Sequence, residues 1–342
     1  MTRRDLLRLL GAAAIAPGVL AASPQRALIK PARLKRGDLV GLVAPCGVVG
    51  EPGIQKRVVN LESLGFRVRV GDHAMASYGG YAGTVEQRIA DLHRMFADRD
   101  VRAIWAARGG SGCLQLLPRI DYELVRRNPK VLIGFSDITA LHLAIHRHAG
   151  LVTFHGPTAG STFSEFSVAQ MQAVLMEPGA RTTFAIAEEH LRKAETKPQF
   201  VPRTFVPGTA EGRLLGGNLS VLCAMLGTPY LPSAKGSLLF LEDVGEAPYR
   251  IDRMLTQLRL AGPLRDAAGI VLGVFEKCEP PDDEPSLSLA ETLEGQLSGS
   301  RVPAAYGYSF GHVPHQYTLP VGVRARLDTE ARTITLMETA VS

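Results

Sequence analysis

Short apolar runs alternate with amphipathic stretches along most of the chain from Asp38 onward. Four apolar runs predict buried strands, at 39–44, 66–70, 101–107 and 131–135. Apolar residues at helical spacing between them predict helices at 54–64 and 85–96, with a shorter helix at 113–117. Strand, tight loop and helix in repetition predict a parallel, doubly wound, Rossmann-like sheet.

The second half of the chain has a different pattern. Prolines interrupt a polar stretch between 177 and 212, where we place a linker at 181–211. Beyond it, a helix is predicted to open at 216–222, strands at 237–242 and 269–275 flank a helix at 249–260, and 302–337 alternates in the manner of β-structure. The sequence therefore predicts an α/β protein with an N-terminal lobe at 27–180 and a smaller α+β C-terminal lobe at 212–342.

Ligands of a doubly wound sheet bind at the carboxyl ends of its strands. Two features occupy such ends here. The third predicted strand runs into the glycine loop Arg108-Gly-Gly-Ser-Gly112, and the fourth ends just before Ser136. These loops are the first candidates for a functional site.

Ser136 lies at a predicted strand-to-helix turn, where a hydroxyl is held outward beside the backbone N–H groups of the helix start. This is the geometry of a nucleophilic serine. Gly134 precedes the serine by two residues, but Ile138 and not glycine follows by two. Ser136 or Asp137 would equally serve as a helix cap. The local pattern favours neither role.

A nucleophilic serine needs a base, and the chain has nine histidines. His142 and His146 are one helical turn apart and form a conceivable metal pair, but no carboxylate lies between them and their helix leads away from Ser136. We therefore predict packing roles for them. His312, in a turn-rich loop, is the better base, with His315 as its local competitor.

The base in turn needs an acid to orient it. Glu242 ends an apolar strand, and a rigid strand end can hold a carboxylate against an imidazole. Asp243 and Glu246 compete with it, and an ordinary solvated strand end is the alternative. The residue pattern alone leaves this open.

Composition excludes several other functions. The net charge of +5 is small and lies partly in the first ten residues, so nucleic acid is not an expected partner. The four cysteines form no CxxC pair, which argues against a zinc knuckle or a redox motif. We predict neither a metal nor a cofactor.

The first 26 residues have a separate character. Arg3 and Arg4 precede a mildly apolar, alanine-rich run that ends in small residues near Ala22. This pattern is typical of a twin-arginine export signal and is too short for stable membrane insertion. It predicts a periplasmic protein, or a cytoplasmic one if the signal does not operate.

Several separated motifs resemble one family when they are taken together. They are Gly83-Thr84 with Arg88, Arg108-Gly-Gly-Ser-Gly112, Pro129 to Thr139 with His155-Gly-Pro157, Leu215-Gly-Gly-Asn-Leu219, Leu241-Glu-Asp-Val244, Tyr249 to Leu255 and Phe310-Gly-His312. The chain resembles the LD-carboxypeptidases, muramoyltetrapeptide carboxypeptidases of the serine peptidase class that also contains microcin C immunity proteins.

The resemblance implies a Ser-Glu-His triad of Ser136, Glu242 and His312, with backbone N–H groups of Gly110 and Asp137 as the oxyanion hole. It implies release of terminal D-alanine from a murein tetrapeptide, and a homodimer. The alternatives are cleavage of a peptidyl-nucleotide amide, as immunity proteins perform, and an exported peptide-binding protein without turnover.

Two loops depart from the family pattern and leave the substrate less defined than the chemistry. The glycine loop has Ser111 where the family often has an aromatic residue, and the histidine loop reads GHVPHQYTLP where a glycine and an asparagine are more usual. For substrate binding, Arg108 and Asn218 are the predicted contacts.

Overall fold

A computed structural model describes residues 26–179, 181–280 and 285–342. The predicted export signal, apart from Arg26, lies outside these residues. The described chain forms two sheets with helices packed on them. One continuous apolar core contains residues of both sheets, such as Trp105 of the first and Phe240 of the second. The two lobes are therefore packed as one body.

The strands are numbered in chain order. They are β1 Leu39–Val43, β2 Arg67–Val70, β3 Val101–Ala106, β4 Val131–Gly134, β5 Thr153–His155, β6 Thr183–Ala185, β7 Arg203–Val206, β8 Thr209–Asn218, β9 Leu238–Glu242, β10 Gly269–Val274, β11 Ala304–Gly311, β12 Leu319–Val321, β13 Arg324–Asp328 and β14 Thr333–Leu336.

The α-helices follow the same convention. They are α1 Glu51–Ser63, α2 Val85–Ala97, α3 Cys113–Leu116, α4 Tyr122–Arg127, α5 Thr139–Ala149, α6 Glu165–Leu175, α7 Glu188–Lys193, α8 Leu219–Ala224, α9 Pro248–Ala261, α10 Pro263–Asp266 and α11 Leu289–Leu297. Short 3₁₀ turns occupy Leu117–Arg119, Ser136–Ile138 and Pro198–Phe200. None of the helices in the described ranges is both long and apolar enough to cross a bilayer.

The first sheet confirms the predicted Rossmann-like lobe. Its strand order is β12-β5-β4-β3-β1-β2, and β1 to β5 are mutually parallel. The carboxyl ends of β3, β4 and β5 therefore meet at one edge, which brings the loops after them together.

Local sequence explains where the helices of this lobe begin. Helix α2 starts at a capping box in which Thr84 and Gln87 bond reciprocally to each other's backbone N–H groups. Helix α1 starts at Glu51, three residues before the predicted position, because Pro52 suits the first turn of a helix, where no N–H donor is needed.

The second sheet includes strands from the segment that was predicted as a linker. Its order is β6-β14-β13-β8-β9-β10-β11-β7, so two of its strands, β6 and β7, come from the stretch 181–211 that was predicted as a linker. Conversely, β12 lies in the predicted C-terminal lobe but pairs antiparallel with β5 of the first sheet. The prolines of this stretch are compatible with β6 and β7, because both strands lie at edges of the sheet and edge strands tolerate prolines beside them.

Candidate active site

Ser136 occupies a strained turn directly after β4. Its φ of +66° is left-handed, a conformation that only three non-glycine residues adopt in the described chain. The 3₁₀ turn Ser136–Ile138 then leads into α5. Such strain costs about 1–3 kcal/mol and persists where the surrounding structure imposes it, typically at functional sites. The structure thus separates Ser136 from an ordinary helix cap, whose backbone is extended.

The glycine loop after β3 lies against this turn. A Cβ built on Gly109 would lie 2.7 Å from Ser136 Cβ and 2.8 Å from its Oγ. The next residue, Gly110, has a φ of +134°. Its N–H donates to no protein acceptor among the described residues and remains available to a ligand.

We expect the substitution Gly109→Ala to lower kcat by roughly 100-fold, because the new methyl group would displace the Ser136 hydroxyl by a fraction of an ångström to an ångström. Steady-state kinetics and a thermal melt would measure this. Gly295→Ala is the matched control, because a Cβ on Gly295 meets nothing within 4 Å. Full activity in the Gly109 variant would contradict the proposed tight contact.

Partly exposed His312 and fully buried Glu242 form a pair across the second sheet. His312 Nδ1 and Glu242 Oε2 are 2.8 Å apart, and the Glu242 side chain has no exposed surface. Glu242 ends β9, and His312 follows the end of β11 at Gly311. That glycine has a φ of +115°, and a Cβ on it would lie 3.1 Å from Glu242 Oε2. Glycine is therefore required for the histidine to approach the acid so closely.

The pair sets the protonation of the imidazole. Burial alone would lower the pKa of His312, but the negative charge of Glu242 and its hydrogen bond outweigh burial, so the pKa is raised above its ordinary value. The rings of His312 and of Phe135, which precedes Ser136, pack edge to face with centroids 4.8 Å apart. These contacts fix the orientation of the histidine.

The competing residues lie elsewhere. Asp243 points to the start of α8, where it accepts hydrogen bonds from Asn218 Nδ2 and the Ser220 N–H. Glu246 pairs with Arg250 at 3.5 Å. His315 Nδ1 contacts Ser164 Oγ at 3.1 Å, outside the cavity that holds Ser136.

Ser136 and His312 line a common cavity of about 490 Å³ between the two lobes. No hydrogen bond joins Ser136 to His312 in the described chain. In catalytic sites without substrate this contact is often too long for a hydrogen bond and shortens when substrate binds. The first lobe and the loop after β11 both contribute to the wall, which consists of Arg57, Arg108, Gly109, Gly110, Phe135, Ser136, Thr158, Gly160, Ser161, Thr162, His312, Val313, Pro314 and Gln316.

Buried side chains next to the cavity hold the Ser136 turn and the glycine loop in place. Asp137 Oδ2 accepts the backbone N–H of Cys113 at 2.9 Å, so its side chain ties the serine turn to α3. The Cys46 and Cys113 sulfurs are 2.8 Å apart and buried beside it, and burial raises the pKa of Cys46 to about 11. Buried Arg88 bonds the carbonyls of Pro45 and Gly112, which fixes the far end of the glycine loop.

Asn218 differs from its predicted role. Its side chain caps α8 by accepting the Val221 N–H, and its amide donates to Asp243. It is buried and absent from the cavity wall. The structure therefore places Asn218 in a supporting network. Arg108, the other predicted substrate contact, does line the cavity.

His142 and His146 are buried in α5. His142 Nε2 contacts the Gly134 carbonyl at 2.9 Å, and burial lowers its pKa to about 3. Burial lowers the pKa of His146 to about 4. Both rings are neutral at physiological pH and pack inside the first lobe.

Sequence reasoning missed several cavity residues. The sequence does not indicate that Arg57 lines the cavity, because an arginine on an amphipathic helix is normally exposed to solvent. The small polar loop 158–162 follows β5. Its position after a parallel strand is the one feature that could have predicted its place in the cavity wall.

Comparison with known proteins agrees with this architecture. Residues 40–156 match the model of the LD-carboxypeptidase N-terminal domain, and 211–327 match that of the C-terminal domain. The "probable murein peptide carboxypeptidase" of Bacillus subtilis is 40% identical over 314 residues, which are 92% of this chain and 95% of that one.

Two solved structures extend the comparison. The muramoyltetrapeptide carboxypeptidase of Oxalobacter formigenes superposes with a TM-score of 0.74 at 29% identity, covering 87% of this chain and 97% of that one. The microcin C7 self-immunity protein MccF in complex with aspartyl sulfamoyl adenosine has a TM-score of 0.82 at 26% identity, covering 92% and 100%. The chain therefore belongs to the LD-carboxypeptidase family of serine-type peptidases.

Proposed function

We propose that this enzyme releases the terminal D-alanine of murein tetrapeptides through a triad of Ser136, His312 and Glu242. The observation that carries the proposal is the pair of buried Glu242 and His312, whose histidine lines the same cavity as the strained Ser136. A base held by a carboxylate and placed beside an outward hydroxyl has the elements of nucleophilic catalysis.

In this mechanism His312 removes the proton of Ser136 as Oγ attacks the carbonyl carbon of the scissile bond. The negative charge on the carbonyl oxygen is stabilised by the N–H groups of Gly110 and Asp137. His312 then gives its proton to the departing amine, and the resulting ester is hydrolysed by water that His312 activates. Glu242 keeps Nε2 of the imidazole free to accept the proton and stabilises the imidazolium.

The substrate assignment has support from two sides. The relatives include proteins named for murein peptides at 37–40% identity. Two arginines, Arg57 and Arg108, also line the cavity and no described aspartate or glutamate does, so the cavity favours a peptide with a free carboxylate.

The test is to incubate the purified protein with L-Ala-γ-D-Glu-meso-diaminopimelate-D-Ala and to follow products by mass spectrometry. We expect the tripeptide and free D-alanine, and at least a 100-fold slower reaction with a tetrapeptide that ends in L-alanine. A stable tetrapeptide, or cleavage at an inner bond, would refute the proposal.

The raised pKa of His312 predicts the pH dependence. The base must be neutral, so kcat/KM should fall tenfold per pH unit below the pKa of His312 in the free enzyme. Because Glu242 raises that pKa, the midpoint of the acid limb should lie above the ordinary value of about 6.5. A midpoint below 6.5 in the pH profile would contradict the role of the pair.

The likeness to MccF supports a second candidate, cleavage of a peptidyl-nucleotide amide. Its solved complex holds aspartyl sulfamoyl adenosine. The cavity wall here contains one phenylalanine, Phe135, and neither tyrosine nor tryptophan among the described residues, so it offers few rings on which an adenine could stack. Incubation with aspartyl sulfamoyl adenosine in parallel with the tetrapeptide separates the two functions.

The cellular location that we propose for the enzyme is inferred from its N-terminal segment. We propose export to the periplasm by the twin-arginine route and action as a homodimer on peptides released from the cell wall. Fusion of residues 1–26 to a reporter that is active only after folded export would test the first point.

A further inference from the structure

The cavity around Ser136 has an unbalanced charge. Arg57 and Arg108 line it, but the wall contains neither aspartate nor glutamate. Neither arginine forms an ion pair with any residue in the described ranges. Two guanidinium groups thus face one cavity without a protein counter-ion.

Arg57 is held rigidly in this position. It projects from α1, and its Nε and Nη1 donate to the carbonyls of Ala107 at 2.7 Å and Gly53 at 2.8 Å. A Cβ on Gly160 would lie 2.7 Å from Arg57 Nη2, so the glycine makes room for the guanidinium. The donors of Nη2 have no acceptor in the described part of the protein. They are available to a ligand.

The arrangement is electrostatically unfavourable by itself. Burial and the positive charge of Arg108 both lower the pKa of Arg57. Two like charges near each other in a partly buried cavity destabilise the fold unless an anion offsets them. A planar guanidinium also matches a carboxylate through two parallel hydrogen bonds.

The two arginines lie close to the groups that would act on the scissile bond. Arg108 immediately precedes Gly109, which contacts Ser136, and Gly110, the proposed oxyanion donor. Arg57 bonds to Ala107 on the other side of Arg108. In a peptide that ends one residue after the cleaved bond, the terminal carboxylate lies two bonds from the departing nitrogen. It therefore falls beside the same loop.

We propose that Arg57 and Arg108 together bind the C-terminal carboxylate of the substrate and so restrict the enzyme to the last residue of the peptide. This rests on the proposed carboxypeptidase function. Arg57 is the residue that fixes this specificity, since backbone carbonyls hold its Nε and Nη1 and leave Nη2 available to the ligand. Arg108 is more exposed and completes the site.

The experiment compares two substrates, the tetrapeptide acid and the same peptide with a C-terminal amide, in wild type and Arg57→Met. Removing one charge-assisted contact should lower kcat/KM for the acid by about 10- to 100-fold, mainly through KM. The amide should change less than threefold, so the preference for the acid collapses. Arg57→Lys should recover part of it.

The control is Arg67→Met, because Arg67 Nε also donates to a carbonyl, that of Gly37, on the opposite side of the lobe from the cavity wall. It should leave both rates unchanged. Equal losses on acid and amide in Arg57→Met would show a structural role only and overturn the proposal, as would an undiminished preference for the acid.

Two further arms separate other outcomes. If the Arg57→Met defect disappears with a lysine-containing tetrapeptide, the anion bound is the side-chain carboxylate of diaminopimelate, and the proposal is wrong. If wild type releases no alanine, the proposed function fails. Binding of the acid and amide peptides can then still be measured by calorimetry. If Arg57 and Arg108 bind the terminal carboxylate, the amide should bind more weakly than the acid.

Discussion

Replacing Ser136 with alanine is expected to lower kcat for D-alanine release by about 10⁴- to 10⁶-fold. The hydroxyl is the only group that the proposed mechanism uses to form the covalent intermediate, and loss of a triad nucleophile leaves only the contribution of the oxyanion hole and binding. The dissociation constant of the tetrapeptide should change less than threefold, because the substitution removes one atom from a cavity of about 490 Å³.

The control for this variant is Ser63→Ala, which removes an exposed hydroxyl at the end of α1, far along the chain from the nucleophile turn. Its activity should match wild type. A circular dichroism spectrum and a melting curve would establish that Ser136→Ala is folded. A folded variant with activity within tenfold of wild type would eliminate Ser136 as the nucleophile.

The variant Glu242→Gln is expected to lower kcat by about 10³- to 10⁴-fold. The amide keeps the volume of the carboxylate, but its NH₂ group or its neutral oxygen no longer stabilises the imidazolium or selects the required tautomer. The loss of the negative charge also leaves burial as the dominant influence on His312, so its pKa falls. The acid limb of the pH profile should therefore move to lower pH while the plateau drops.

This coupled change distinguishes catalysis from stability. A purely structural role would lower the amount of active enzyme and leave the midpoint of the pH profile in place. Glu246→Gln is the matched control, because Glu246 is a nearby acid that pairs with exposed Arg250 rather than with His312. It should preserve both the plateau and the midpoint.

The sequence was informative wherever a local pattern had one structural solution. Alternating strands and helices predicted the parallel sheet, since buried parallel strands read as continuous apolar runs. The same reasoning placed Ser136 and the glycine loop at one edge. The sequence does not show whether Ser136 is a helix cap or a nucleophile. The feature that distinguishes the two is the left-handed backbone of Ser136, which packs against Gly109 of a separate loop.

Other features depended on contacts between distant segments. The pairing of β12 with β5 and of β7 with β11 joins residues more than 90 positions apart, and no short pattern encodes it. Asn218 is a predicted substrate contact, but its amide donates to the carboxylate of Asp243 instead. Arg57 acquires its position only when α1 packs beside the end of β3.

In the proposed mechanism Ser136, activated by His312 and Glu242, releases D-alanine from the tetrapeptide. The most direct measurement is D-alanine release by wild type, Ser136→Ala and Glu242→Gln in parallel at equal enzyme concentration. We predict turnover by wild type, about 10⁴- to 10⁶-fold slower turnover with Ser136→Ala, and about 10³- to 10⁴-fold slower turnover with Glu242→Gln. Release of D-alanine by folded Ser136→Ala within tenfold of the wild-type rate would show that Ser136 is not the nucleophile.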